Sequence, residues 1–274
     1  MGELTARTIE TLLADDDPRA RQLACQQLIK SGADVVPVLR QLLDCRDGGI
    51  ARQAREIIAS IERVDRKAEF AEVCRRCEEF DIEDCGWALA RVFEPAADIP
   101  RYRARLDDWA AEVAPEIGLA GTPVGRVNAL AGCLADGQGL TGNVDNYYSP
   151  MNSLLTAVID SRRGNPIALC TLYMLVGRRA GMQVDGINAP GHFLARHDGV
   201  YFDPFHNGRV LPSGEIRMVL DQVEPAAGAL LIESATTALI LRRMLGNLEQ
   251  IFHQAGDLAY ADMLAEWILI LDRK

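Results

Sequence analysis

Positive charge is in short supply. The 274-residue chain sets 29 Lys and Arg against 39 Asp and Glu, a formal net charge of −10 with a sequence pI near 5.0. A nucleic-acid partner needs a basic stripe to displace counterions from phosphates, so that class of partner is excluded. Long apolar runs are also missing. None approaches the roughly 18 residues of a spanning helix, so no membrane segment is expected. The opening MGELTARTIETLLADDD has no basic segment followed by an apolar one, so no secretory signal is expected. Position 6, where a myristoylation signal carries Ser or Thr, is Ala6.

No disulfide framework is in evidence. The seven cysteines (Cys25, Cys45, Cys74, Cys77, Cys85, Cys133 and Cys170) are odd in number, scattered, and mostly set in apolar helical patterns. Such usage suits reduced, buried thiols in a cytoplasm. Cys74-Arg-Arg-Cys77 with Cys85 could supply three zinc ligands. The stretch reads as a helix with no fourth ligand nearby, so core thiols are the better reading and no metal or cofactor is expected.

What is present is enough for a packed core: 49% hydrophobic and 25% charged residues. The first sixty residues read as paired helices. Ala20, Ala24 and Leu28 recur every four residues after an Asp17-Pro18 start, and Ile50, Ala54 and Ile58 repeat that spacing. Between them, Asp34 is expected to open a helix carrying Val38, Leu39, Leu42 and Leu43. Helix pairs of this kind resemble HEAT repeats, with an ordinary helical bundle as the alternative. Further on, Pro100 marks a helix start, and Tyr102, Leu106, Trp109 and Val113 form one apolar stripe. The stretch GQGLTGNVDNYYSPMNS is polar and aromatic, as exposed binding loops often are. It ends in Asn152-Ser153, which could cap a helix near Leu154. Its candidate contacts are Asn143, Asp145, Asn146, Tyr147 and Tyr148. The last part gives two amphipathic helices joined at Ala255-Gly256-Asp257. They read as a plain hairpin or as one tetratricopeptide-like unit.

The central part changes periodicity. Short β-like runs cover Gln183–Asn188, His192–Arg196 and Val200–Asp203, the last two flanking the hairpin signal Asp198-Gly199. Pairing His197 with Val200 makes His192 and Asp203 diagonal neighbours on one face. A carboxylate that orients an imidazole is two-thirds of a nucleophilic triad. The third member belongs at a helix N-terminus, where free N–H groups lower a thiol's pKa. Asn165 is a good N-cap and Pro166 a good first helical residue, which puts Ala168 in the first turn and Cys170 in the second. Two residues rotate about 200° along a helix. If residue 168 faces the hairpin, Cys170 points into the core on the other side.

GNVDNYYSPMNSLL, RRGNPIAL, RRAGMQVDGINAPGHFLAR and YFDPFHNGR, in that order, resemble the bacterial SirB family over about residues 71–220. Its central domain is related to the transglutaminase-like, papain-like superfamily. The resemblance implies an α+β, predominantly helical fold: a helix bundle with a small antiparallel sheet, flanked by helical pairs. Three parts are expected: HEAT-like repeats over 1–64, which lie outside the resemblance, the core over 65–220 and a helical hairpin over 221–274 that resembles the family's helical tail. The resemblance places the superfamily's histidine at His192, its aspartate at Asp203 and its nucleophile at Ala168, where alanine cannot attack. Asn165, Phe205 and Arg209 join the candidate binding residues. The expectation is a cytoplasmic, non-catalytic scaffold or adaptor for a protein or peptide, with a regulatory role as one form of it. The alternative is a cysteine-dependent protease, amidase or transglutaminase using Cys170 with His192 and Asp203. A metal-dependent hydrolase built on His192, Asp203 and His206 fits less well, since His206 lies beyond Pro204, off the strand.

Overall fold

The computed structural model describes residues 5–189, 191–221 and 233–273. The chain divides into two compact units, one running to Phe70 and the other from Ala71.

The first unit is helical. α1 (Ala6–Leu13), α2 (Pro18–Lys30), α3 (Val36–Gln41) and most of α4 (Gly48–Arg75) enclose a core of Ile9, Leu13, Leu28, Leu39, Ile57 and Ile61. Asp17 caps α2 by accepting from Arg19 N, with Pro18 in the first turn. Asp34 does not open α3. It lies inside a 3-10 turn, Gly32–Val35, and α3 follows with Pro37 in its own first turn. Ile50, Ala54 and Ile58 are buried, whereas of Ala20, Ala24 and Leu28 only Leu28 is. α4 runs unbroken through position 64, so no loop marks the end of the helical pairs there.

The second unit is α+β and mostly helical. It begins with α5 (Ile82–Phe93), α6 (Ile99–Leu119) and α7 (Pro123–Ala131). Tyr102, Leu106, Trp109 and Val113 are all buried on α6. A π turn, Gly132–Gly137, leads to β1 (Thr141–Gly142), and then come α8 (Leu155–Ser161), β2 (Arg163–Gly164) and α9 (Pro166–Arg179). α9 is buried from Pro166 to Tyr173 and again at Leu175–Gly177, the signature of a central helix that packs on every side. Asn152 and Ser153 do not cap α8, which has no side-chain cap. They lie in a 3-10 turn before it and bond elsewhere.

Four strands follow: β3 (Asp185–Ala189), β4 (His192–His197), β5 (Val200–Asp203) and β6 (Arg209–Val210), antiparallel in sequence order. The β4–β5 register pairs His197 with Val200, Arg196 with Tyr201 and Ala195 with Phe202. Asp198 and Gly199 both take positive φ, 44° and 80°, as a two-residue turn of this twist requires. α10 (Ser213–Asp221), α11 (Thr237–Gln254) and α12 (Leu258–Leu271) complete the unit. Gly256, at φ +77°, ends α11, and Asp257 caps α12. The Phe93 ring of α5 stacks on Phe252 of α11 and Tyr260 of α12, so the last hairpin is packed into this unit.

Candidate functional site

The site begins at the N-terminus of α9. Asn165 is extended, and its Oδ1 accepts from Ala168 N at 2.9 Å, satisfying one of the helix's free donors. Its Nδ2 donates to Ser153 Oγ at 2.8 Å, and its own N donates to the Asn152 carbonyl at 3.0 Å. The two-residue parallel pair β1–β2 lays the Asn143 loop beside this cap. Asn143 Nδ2 donates to Asn152 Oδ1 at 2.8 Å, and Asn152 Nδ2 donates to the carbonyls of Asn146 and Tyr147 at 2.7 and 2.9 Å. The linked side chains of Asn143 and Asn152 thus fix the loop that carries the two tyrosines. Gly142 has a packing reason: a Cβ there would lie 2.6 Å from the Phe205 carbonyl.

The second component comes from the sheet. His192, first in β4, stands against Asp203, last in β5, with Nε2 to Oδ2 at 2.8 Å. The chain then leaves the strand. Pro204–His206 form a 3-10 turn whose N-cap is Asp203 itself: its Oδ1 accepts from Phe205 N at 3.0 Å and from His206 N at 3.4 Å. That turn carries His206 back, so its Nδ1 also lies 2.8 Å from Asp203 Oδ2. His206 was expected to sit off the strand, with poor geometry toward the other two. Off the strand it is, and the turn that removes it is what brings it to the cluster. The sequence signal was Asp-Pro two residues before the histidine, since a carboxylate that caps its own following turn draws residue i+3 back. The buried carboxylate meets opposing influences. Burial disfavours its charge, but hydrogen bonds and charge from His192, then from His206, hold it below the usual carboxylate range. His192, His206 and Asp203 offer donor atoms within 4.8 Å of one another, a nitrogen and oxygen set of the kind that holds zinc or a similar divalent ion. Among the described residues no other group of three does so.

Aromatic rings continue from this cluster to the surface. His192 meets the edge of Phe205, Phe205 that of Tyr147, and Tyr147 that of Tyr148, at centroid distances of 6.0, 6.0 and 5.2 Å. Tyr148 is 61% exposed. Both tyrosines, with Asn165, line a small hollow completed by Asn247, Gln250 and Ile251 of α11. Sequence reasoning missed this contribution, because nothing local ties α11 to a loop a hundred residues earlier. Two of the expected binding residues stand differently. Asp145 is exposed and makes no hydrogen bond or ion pair among the described residues. Arg209 is paired in register with Asp203 on β6, but its guanidinium is taken by Glu215, Nη2 to Oε2 at 2.7 Å.

Ala168 is completely buried. Cys170 is buried too, but not on the far side of α9. Its sulfur donates to the Phe193 carbonyl at 3.3 Å. α9 lies on β4 and Cys170 is on the side that meets it, so the expected turning away from the hairpin is not seen. Burial, and then the nearby charge of Asp203, push the Cys170 thiol well above its ordinary range. Cys74, Cys77 and Cys85 are also buried, and burial first of all pushes the thiols of Cys74 and Cys85 up to about 12.

The model of the transglutaminase-like superfamily matches residues 100–246, more than half of the sequence. The chain belongs to the transglutaminase-like superfamily. Among curated relatives, a UPF0162 protein of Xylella fastidiosa is 38% identical over 48% of this chain and 51% of its own length. A UPF0162 protein of Pseudomonas aeruginosa is 27% identical over 61% of this chain and 65% of its own. F-box only protein 21 of Mus musculus is 30% identical over 47% of this chain and 22% of its own length. The chain thus spans about half the length of the Xylella relative and less of the mouse protein. No solved structure matches it. No described helix of this transglutaminase-like chain is long and apolar enough to cross a membrane.

Proposed function

We propose that this transglutaminase-like domain is a scaffold without thiol chemistry that holds an extended peptide of a partner protein. One observation carries the reading. The first turn of α9 presents Ala168, buried and capped by Asn165, while the helix's one thiol is bonded to a backbone carbonyl. An activated cysteine needs exposure and an electropositive neighbour, and Cys170 has neither. The exposed tyrosines beside the hollow support the binding part, since aromatic faces next to side-chain amides suit an extended backbone. We also read the chain as SirB-like, with HEAT-like pairs at its start and a tetratricopeptide-like hairpin at its end, parts suited to an adaptor. This rests on the quoted motifs and the helix spacing. We place the protein in the cytoplasm on its cysteine usage.

The test has two arms on the whole chain. Iodoacetamide near pH 6 should leave Cys170 unmodified until urea is added. Rapid modification of Cys170 in the native protein would overturn the reading and favour the cysteine enzyme. Panning against a random peptide library should return sequences whose binding is lost in Tyr147→Ala/Tyr148→Ala. Binders unaffected by that pair would remove the hollow from the proposal.

A further inference from the structure

A second hollow, of about 230 Å³ and open to solvent, lies between α6 and the end of α8, lined by Arg101, Tyr102, Arg105, Ile159, Asp160 and Arg162. It shares no residue with the site described above. In a chain of net charge −10, three arginines and a single carboxylate line this hollow. That carboxylate is already in use: Asp160 accepts from the Tyr102 hydroxyl at 2.6 Å and has Arg101 at 3.7 Å. Arg105 makes no hydrogen bond or ion pair among the described residues. Arg162 lays its guanidinium over the Trp109 ring at 4.9 Å, which covers one face but leaves the in-plane N–H donors unused. Its Nη1 is buried and has no acceptor among the described residues. A buried donor without an acceptor costs free energy that native structures seldom tolerate without a reason.

The backbone at Arg162 sharpens the point. The residue ends α8 at φ 63° and ψ 11°, the left-handed region in which glycine is at ease and arginine is not. It is held there from both sides: its N–H bonds to the Val158 carbonyl at 2.9 Å, and its carbonyl accepts from Thr141 N at 3.0 Å. An arginine in a glycine position, with its charged end turned into a cationic pocket, is poorly explained by packing alone. Burial, and then the charge of Arg105, disfavour the Arg162 cation, and Asp160 offsets only part of this. Arg105 and Arg162 thus line one space whose single carboxylate, Asp160, is already engaged by Tyr102 and Arg101.

We propose that the hollow formed by Arg101, Arg105 and Arg162 binds a phosphoryl oxyanion. The charge count selects the class. Three guanidiniums less one carboxylate leave two positive charges, which a phosphate dianion balances and a single carboxylate does not. The planar fork of arginine suits phosphate oxygens in pairs, and Tyr102, whose hydroxyl is engaged by Asp160, supplies a wall.

Calorimetric titration of the full chain at constant ionic strength should show one saturable site for phenyl phosphate or inorganic phosphate at pH 7.5. Which of the two binds more tightly tells whether the group belongs to an organic ligand or to free phosphate, and either order supports the site. Arg105→Gln and Arg162→Gly should each weaken binding roughly tenfold or more, the loss of one charged hydrogen-bond donor. Arg162→Gly relieves the backbone and so should fold, while Arg105 is exposed and its substitution leaves the core alone. Phenyl phosphate should bind several-fold more weakly at pH 5, where it carries one charge, its second pKa being about 6. Absence of saturable binding for both probes, or wild-type affinity in both variants, would overturn the site. Acetate binding as tightly as phosphate would overturn the phosphoryl assignment.

Discussion

Two carboxylates of this chain are nearly sealed from solvent, and they are treated in opposite ways. Glu83 on α5 receives Arg103 Nη1 at 3.1 Å, Arg178 Nη2 at 2.9 Å, Arg179 Nη2 at 2.7 Å and the Trp87 indole N–H at 3.1 Å. Asp203 at the end of β5 receives two imidazoles and two backbone N–H groups. Burial opposes ionisation at both, and at both the donors outweigh it, so each carboxyl lies below its ordinary range. The difference lies in the partners. Guanidinium stays charged at any ordinary pH, so the Glu83 cluster is a fixed clasp that ties α5 to α6 and α9. Imidazole can give up or take a proton, and its two nitrogens can donate, accept or ligate, so the Asp203 cluster keeps chemical options open. Buried charge by itself therefore does not mark the site. The kind of partner does.

The comparison can be broken most directly at Glu83. Glu83→Ala removes the one buried carboxylate that Arg103, Arg178 and Arg179 share and leaves them only their exposed partners Asp84, Asp81 and Asp107. The expected loss is about 3–5 kcal/mol, read as a shift in the urea midpoint at constant slope. Asp203→Asn should cost less, about 1–3 kcal/mol, because Asn retains an acceptor for the Phe205 and His206 amides. If the second substitution costs more than the first, the distinction between clasp and site is wrong.

Acid sharpens the same contrast. A depressed carboxyl contributes stability that is present above its unfolded pKa and lost as pH falls through its folded value. With unfolded values near 4.3 for Glu and about 3.9 for Asp, stability should hold down to about pH 4.5 and fall below it. Glu83→Gln and Asp203→Asn should each flatten that acid limb. An unchanged slope between about pH 2 and 4 in either variant would mean that its carboxyl is not depressed in the folded chain.

The smallest effect is expected at Cys170. Cys170→Ser keeps a donor for the Phe193 carbonyl and should cost about 1 kcal/mol or less in the same urea experiment. Cys170→Val, close in size but unable to donate, should cost about 1 kcal/mol more than the serine variant. Equal costs would mean that the sulfur only fills space.

Where local chemistry suffices, the sequence could be read directly. Asp198-Gly199 sets a turn whose φ signs leave little choice, and the β4–β5 register follows from it. Asn165-Pro166 fixes the start of α9 through one side-chain hydrogen bond, and Asp17-Pro18 does the same for α2. The α6 stripe follows from a period of about 3.6 residues. Asp34 and Asn152-Ser153 show the limit of such reading. Both are good caps by type, yet a 3-10 turn claims the first and the Asn143–Asn152 link and Ser153–Asn165 bond claim the second.

The sequence by itself thus determined the hairpin, the capped helix and the alanine at the first-turn position, because each depends on residues within a few places of one another. Only tertiary structure decided the rest. α9 lies on β4 closely enough for Cys170 to reach the Phe193 carbonyl, and α11 supplies one wall of the tyrosine hollow. Arg178 reaches Glu83 from 95 residues away, and Arg162 shares its pocket with residues about sixty positions earlier. Such encounters carry no periodicity and no local propensity. They depend on which surfaces the core brings together, and a linear pattern does not contain that distance.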